Sequence, residues 1–258
     1  MFLGFVALGV VAGLLAGMFG IGGGVVIVPA LIFLFNFAMQ EATGTSLAAL
    51  LLPAGFMALL QYKRAGLLNI KASAAIAIGI FTGSSIGAMI ALDLDAILLR
   101  QIYGIFLLWV GYRFARPSPA EINYSENTNT NISYSKYKIY IYPLVGLLAG
   151  VSAGMFGIGG GVIITAALIG LLKIPPKQAV VISLAALFLP SGLPGVLIYY
   201  KSGLINISAA ILLAIGIEMG SAISARIALK LKSDIVKRLY GVFVLLLGIY
   251  FIIQKYIF

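Results

Sequence analysis

The sequence Ala-Gly-Met-Phe-Gly-Ile-Gly-Gly-Gly-Val occupies residues 16–25 and occurs again, unchanged, at residues 153–162. The two copies belong to a longer match, in which residues 13–114 align with residues 150–251 at a constant offset of 137 and without a gap. About half of the aligned positions are identical, far more than unrelated apolar helices share. The chain is therefore predicted to contain one structural unit twice.

The composition is that of an integral membrane protein. Hydrophobic residues make up 62% of the 258 residues and charged residues only 9%, with a mean hydropathy of +1.14. A soluble domain carries about 25% charged residues, so this chain cannot build a water-facing surface. The absence of Cys and His excludes disulfides and thiolate sites, and removes the commonest general base and metal ligand. No cofactor, metal site or catalytic residue is expected.

Each copy contains five apolar segments. They cover residues 3–18, 24–36, 42–62, 72–92 and 96–114, and then 139–155, 161–173, 178–200, 207–229 and 235–254. The last three of each copy reach the roughly 20 residues that a spanning helix needs. The first two are shorter and are separated by the glycine motif, so they form either two short spans or the arms of a re-entrant hairpin. The predicted fold is an all-α polytopic membrane protein with two homologous repeats, each a glycine-broken helical hairpin plus three spanning helices.

Three regions follow from this division. Residues 1–115 form transmembrane repeat 1, residues 139–258 form transmembrane repeat 2, and residues 116–138 form a polar linker rich in Asn, Ser, Thr and Tyr. The linker is the longest polar stretch of the chain and is expected to lie outside the bilayer, in the cytoplasm.

The loop charges predict that the second repeat is inverted relative to the first. A returning hairpin plus three spans gives an odd number of net crossings. Asp93 and Asp95 of the first copy align with Lys230 and Lys232 of the second, so equivalent loops carry charges of opposite sign. Under the positive-inside rule, such loops face opposite sides of the membrane, with both termini outside. A parallel duplication is the alternative, and it leaves these charges unexplained.

The glycine motifs are the strongest candidates for a binding site. Consecutive glycines at a helix start expose backbone N–H groups, which attract anions together with the helix dipole. Broken helices of inverted-repeat transporters meet near the midplane, where two such motifs would form one site. Hydroxyl side chains at the third segment can donate to the same anion. The candidate substrate-binding residues are Gly20, Gly22, Gly23, Gly24, Thr45, Ser46, Gly157, Gly159, Gly160, Gly161 and Ser183.

Structural roles compete with this interpretation. Small residues also let membrane helices pack closely, and Ser or Thr hydroxyls, including that of Thr43, often bond to carbonyls of their own helix. Glu218 lies well inside an apolar segment and is a candidate for coupling transport to protons, or else a polar partner for a neighbouring helix. Its counterpart in the first copy is Phe81, which argues against an essential role.

Prolines and asparagines mark helix boundaries. Pro53 and Pro190 are predicted to kink the third segment of each copy, and Pro194 to add a second break in the second copy. Asn69 and Asn206 stand at the start of the fourth segment, where N-caps are expected.

The motifs resemble those of the TauE/SafE family of sulfite and organosulfonate exporters. The family signature GxGGGxxxxPxL is met by residues 20–31, and a second feature, A-x-x-T-S-L, is similar to residues 42–47, followed by a basic turn at residues 62–64. The second copy departs from the pattern, because Ala166 replaces the proline and Ile182 replaces the threonine. Its half of the site would then be less polar. The resemblance covers nearly the whole chain.

Together these features predict a secondary transporter of the plasma membrane. It would move a small anion, such as sulfite or sulfoacetate, by alternating access at a midplane site between the two Gly-Ile-Gly-Gly-Gly breaks. An anion channel and a non-transporting membrane assembly factor are the alternatives. An intramembrane enzyme is disfavoured for want of a nucleophile–base pair. The expected partners are the anion and the lipid bilayer, not nucleic acid. Whether the chain forms a homo-oligomer stays open.

Overall fold

The computed structural model describes residues 2–19, 23–51, 59, 68–115, 140–228 and 234–253. These residues form eleven α-helices and no β-strand. The helices before the linker are α1 (Phe2–Phe19), α2 (Gly24–Phe35), α3 (Met39–Ala49), α4 (Ile70–Asp93) and α5 (Ala96–Ala115). Those after it are α6 (Ile141–Phe156), α7 (Gly161–Gly170), α8 (Pro176–Phe188), α9 (Leu193–Lys201), α10 (Ile207–Ala228) and α11 (Asp234–Ile253). The all-helical prediction is confirmed. The linker, residues 116–138, lies outside the described residues.

The described residues contain three helices long and apolar enough to cross a membrane. These are α4, α5 and, over its first 18 residues, α10, while α8 and α9 together make a fourth span that is bent by 46°. The bend lies at Pro190, as the sequence predicts. The prediction of a second break at Pro194 was wrong. This proline lies in the first turn of α9, where a missing N–H costs no hydrogen bond. Pro53 lies outside the described residues.

Helices α1 and α2 form an antiparallel hairpin. Gly23, just before α2, packs beside the middle of α1, because a Cβ on it would lie 3.1 Å from the carbonyl oxygen of Ala12. At the other end of α2, the ring of Phe35 stacks on Phe5 with centroids 4.3 Å apart. Helix α2 is about 18 Å long, too short to cross a hydrocarbon core of about 30 Å. This geometry favours the re-entrant alternative.

Helices α6 and α7 repeat this arrangement. A Cβ on Gly160 would lie 2.7 Å from the carbonyl oxygen of Ala149, in the middle of α6. These positions follow Gly23 and Ala12 by 137 residues. Helix α7 has 10 residues, so it is also too short to cross a hydrocarbon core.

The first helix of each hairpin packs on the fourth-segment helix of the other half of the chain. Helix α1 packs most extensively on α10, and α6 on α4, each pair running parallel. Backbone contacts backbone along both pairs. A Cβ on Gly9 would lie 2.9 Å from the Cα of Gly216, and one on Gly83 would lie 3.0 Å from the Cα of Gly150. These glycines recur every four residues, the spacing that lets membrane helices approach closely.

Helices α5 and α11 form a third pair, which runs antiparallel. A Cβ on Gly104 would lie 3.0 Å from the carbonyl oxygen of Gly248, and one on Gly111 would lie 2.8 Å from that of Gly241. Gly241 and Gly248 are the 137-residue counterparts of Gly104 and Gly111, so the contact is self-complementary.

The helix contacts divide the other described helices into two bodies. The first body contains α1, α2, α3 and α10, and the second contains α4, α6, α7, α8 and α9. Each body therefore combines early helices of one half of the chain with the α4 or α10 helix of the other. Between them run the contacts of α3 with α6 and α9.

Both predicted N-caps are confirmed. The side-chain oxygen of Asn69 accepts a hydrogen bond from the N–H of Ala72 at 3.1 Å, and that of Asn206 accepts one from Ala209 at 3.0 Å. The caps fix where α4 and α10 begin.

Candidate functional site

The glycine motif of the second half breaks the helix by left-handed backbone conformations. Gly157, Gly159 and Gly160 have φ angles of 67°, 76° and 78°, which side chains with a Cβ rarely adopt. Gly157 ends α6, and Gly160 directly precedes α7. Gly23 has the same conformation, with φ 77°, before α2. Gly20 and Gly22 lie outside the described residues.

The two glycine motifs meet at the boundary between the two bodies. A Cβ on Gly24 would collide with the carbonyl oxygen of Gly157 and lie 2.6 Å from the Cα of Ile158. A Cβ on Gly157 would in turn lie 2.6 Å from the carbonyl oxygen of Thr43 in α3. The absence of side chains at these glycines therefore permits backbone contact between the two hairpins and α3.

Hydroxyl groups of α3 hold this junction together. Ser46 Oγ donates a hydrogen bond of 2.7 Å to the carbonyl oxygen of Gly157, 111 residues away. Thr45 Oγ1 accepts a bond of 3.0 Å from the N–H of Asn206, whereas Thr43 Oγ1 donates to its own helix at Met39. Thr45 and Ser46 thus bind protein groups in this conformation. Their contact with an anion stays a prediction.

Ser183, the counterpart of Ser46, belongs to α8 and lies beside the start of α7. Its hydroxyl donates to the carbonyl oxygen of Gly161 at a distance of 3.5 Å, and its side chain is fully buried. The structure therefore brings Ser183 to the second glycine motif as Ser46 is brought to Gly157.

Backbone donors are available where α7 begins. The first hydrogen bonds of the helix run from the N–H groups of Ile163 and Ile164 to the carbonyl oxygen of Gly160, both at 3.1 Å. Among the described residues, no group accepts a hydrogen bond from the N–H groups of residues 159–162. They add to the partial positive charge of the helix N-terminus.

A partly open cavity lies beside Gly159 and between the two bodies. The first body contributes α1, α3 and α10, and the second contributes α4, α6, α8 and the turn before α9. The lining residues are Ala16, Gly17, Leu47, Leu50, Leu51, Ile80, Ala153, Gly159, Leu184, Leu187, Ser191, Gly192, Ile217 and Ser221.

Eight of these residues form four pairs related by the 137-residue offset. The pairs are Ala16 with Ala153, Leu47 with Leu184, Leu50 with Leu187, and Ile80 with Ile217. Sequence reasoning overlooked them because apolar residues in a membrane helix give no polar signal. Their identity in both copies was the available clue.

The cavity walls carry no ionisable side chain among the described residues. Glu218 is the neighbour of the lining residue Ile217 on α10 and is half-buried. Its role in coupling stays a prediction. Within the described ranges, no three His, Cys, Asp or Glu side chains come together to hold a metal ion.

Comparison with known proteins identifies the family. The family model described as "Sulfite exporter TauE/SafE" matches residues 5–251. The chain belongs to the TauE/SafE family. It is thus a multi-pass membrane transporter of the plasma membrane, as its apolar helices indicate.

Curated relatives cover nearly the same length. "Probable membrane transporter protein YunE" of Bacillus subtilis is 28% identical over 94% of both chains. "Probable membrane transporter protein MJ0441" of Methanocaldococcus jannaschii is 28% identical over 88% of this chain and 86% of its own. No solved structure matches the chain significantly. The relatives are named as transporters and not as enzymes.

Proposed function

We propose that this TauE/SafE protein is a secondary transporter of a small anion, which binds in the cavity beside the glycine motifs and crosses by alternating access. The anion would be a sulfur oxyanion or an organosulfonate, such as sulfite or sulfoacetate. The observation that carries the proposal is the cavity itself. It lies between two helix bodies, is lined by paired residues of both halves, and borders Gly159.

The antiparallel α5–α11 pair supports an inverted repeat. These helices are equivalent in the two copies and pack through equivalent glycines in reversed order. A two-fold axis along the membrane normal would leave equivalent spanning helices pointing the same way. An axis in the membrane plane reverses them, as the loop charges also predict. We therefore assign residues 1–115 and 139–258 to two inverted repeats that are joined by a cytoplasmic linker at residues 116–138.

The helix exchange defines which parts move. Backbone-to-backbone packing of α1 on α10, and of α6 on α4, makes each body rigid. The repeats as sequence units are then not the moving parts. The two bodies, each with a helix from the other repeat, rock against each other at the cavity and expose it to one side at a time.

The polar groups of the site have separate roles in this proposal. The N–H groups of residues 159–162 bind the anion, and Gly22–24 of the first motif supply the matching half. Ser46 positions Gly157 through its hydrogen bond. Thr45 and Ser183 complete the junction, and Glu218 supplies proton coupling.

Counterflow in proteoliposomes tests this function. Purified protein should take up labelled sulfite or sulfoacetate saturably, and the same anion loaded inside should accelerate uptake. A channel on the same scaffold would conduct the anion without counterflow, and an assembly factor would bind none. A thermal-shift screen with both anions detects binding separately, because a ligand of the folded state raises its melting temperature.

A further inference from the structure

The cavity walls lack the donors that an inorganic oxyanion needs. Leu, Ile and Ala make up most of the lining, and Ser191 and Ser221 are its two residues with polar side chains. Both hydroxyls already donate to nearby carbonyls: Ser191 to Ala186 at 3.3 Å and Ser221 to Glu218 at 3.0 Å. An anion that enters must lose water, and a polar surface without replacement hydrogen bonds is costly to bury. The walls therefore favour a ligand with an apolar part.

Two leucines lie where the apolar wall meets the glycine motif. A Cβ on Gly159 would lie 3.1 Å from Cδ1 of Leu50 and 4.0 Å from Cδ2 of Leu187. Leu50 follows α3 in the first body, and Leu187 belongs to α8 in the second. They are counterparts at the 137-residue offset, so both halves present a leucine to the same spot.

We propose that Leu50 and Leu187 determine specificity by selecting organic anions that have a short apolar chain over inorganic oxyanions. This inference rests on the proposed function. The anionic end binds at the glycine motif, and the carbon chain contacts the two leucines. Each methylene buried against them should strengthen binding about fourfold.

Binding of alkyl sulfonates to purified protein tests the inference. Methane-, ethane- and propanesulfonate share one head group, and sulfate and sulfite are the inorganic references. Calorimetric titration should show affinity rising about fourfold per methylene, with sulfate and sulfite weaker than propanesulfonate. Leu50→Ala and Leu187→Ala should flatten this rise, with the largest loss of affinity for propanesulfonate. Leu148→Ala is the matched control, because Leu148 is 58% exposed on the outer face of α6.

Leu187→Asn supplies a second readout that keeps the side-chain size. An amide beside Gly159 offers donors to an oxyanion, so this variant should bind sulfate more tightly and propanesulfonate more weakly than wild type. Equal affinity along the sulfonate series in wild type overturns the inference. A rise in affinity per methylene that stays the same in the leucine variants overturns it as well. Tight binding of sulfite without chain dependence overturns it too, while leaving the proposed function intact. Failure of every anion to bind overturns the proposed function itself.

Discussion

Gly159 and Gly160 both have left-handed φ angles, but a methyl group added to each would meet different surroundings. At Gly160, the new Cβ would press on the backbone of α6 at Ala149, which cannot move without opening the hairpin. At Gly159, it would meet only the side-chain ends of Leu50 and Leu187, on the cavity side. One glycine therefore maintains the hairpin, and its neighbour faces the candidate site.

We expect Gly159→Ala to lose anion affinity while staying folded, and Gly160→Ala to lose stability. A left-handed alanine costs about 1–2 kcal/mol at either position, and only Gly160→Ala adds a backbone clash. Gly203→Ala is the matched control, because Gly203 has φ 69° and nothing within 4 Å of a new Cβ. Melting temperature and anion titration should be measured for all three variants. Wild-type affinity in Gly159→Ala would move the binding site away from this glycine.

At the scale of single helices, direction is what distinguishes an inverted from a parallel repeat. Helices α5 and α11 are equivalent in sequence but antiparallel in the structure. Residue 94 precedes α5, and residue 231, which lies outside the described residues, precedes α11 in the same register.

We expect single cysteines at positions 94 and 231 to label from opposite sides of the membrane. The chain has no natural cysteine, so a membrane-impermeant maleimide reports each position alone. Position 94 should react in sealed, right-side-out cells, and position 231 only after permeabilisation, in line with the positive-inside rule. A fully permeabilised sample, in which both positions can be reached, shows whether either cysteine is buried. Labelling of both positions from one side would establish a parallel duplication instead.

Individual helices were predictable from sequence because their signals are local. The glycine breaks, the bend at Pro190 and the caps at Asn69 and Asn206 each depend on residues within one or two turns. Partner choice among helices was not predictable. The glycine face of α1 would fit α4 as well as α10, since both carry glycines four residues apart. The same limit applies to the site, where Ser46 contacts a glycine 111 residues away.

At the scale of the whole molecule, the proposal requires the two bodies to move relative to each other. Helix α9 of the second body touches both bodies. A Cβ on Gly44 of α3 would lie 3.0 Å from Cβ of Tyr199, across the boundary, and one on Gly195 would lie 3.3 Å from Cβ of Ser84, within the second body. Both distances are slightly shorter than the roughly 3.5–4.5 Å between the Cβ atoms of a disulfide, so each pair is close enough to be bridged after a small shift.

We expect a disulfide between Gly44→Cys and Tyr199→Cys to stop transport, and a reductant to restore it. The disulfide between Ser84→Cys and Gly195→Cys is the matched control and should leave transport active, because it joins helices that move together. Anion flux should be measured in proteoliposomes under oxidising and reducing conditions. Normal transport with the first disulfide closed would mean that the cavity opens without relative motion of the bodies.

The exchange of α4 and α10 between the bodies also has a consequence for how the chain is made. Helix α1 leaves the ribosome early, but its partner α10 ends at residue 228. At about 5–20 residues per second, α1 waits about 10–40 s in the membrane before its glycine face can be covered. Helix α4, in contrast, is already inserted when α6 arrives. The body that contains α4 and α6 is therefore assembled earlier. The body that contains α1 is completed only when α10 has been inserted.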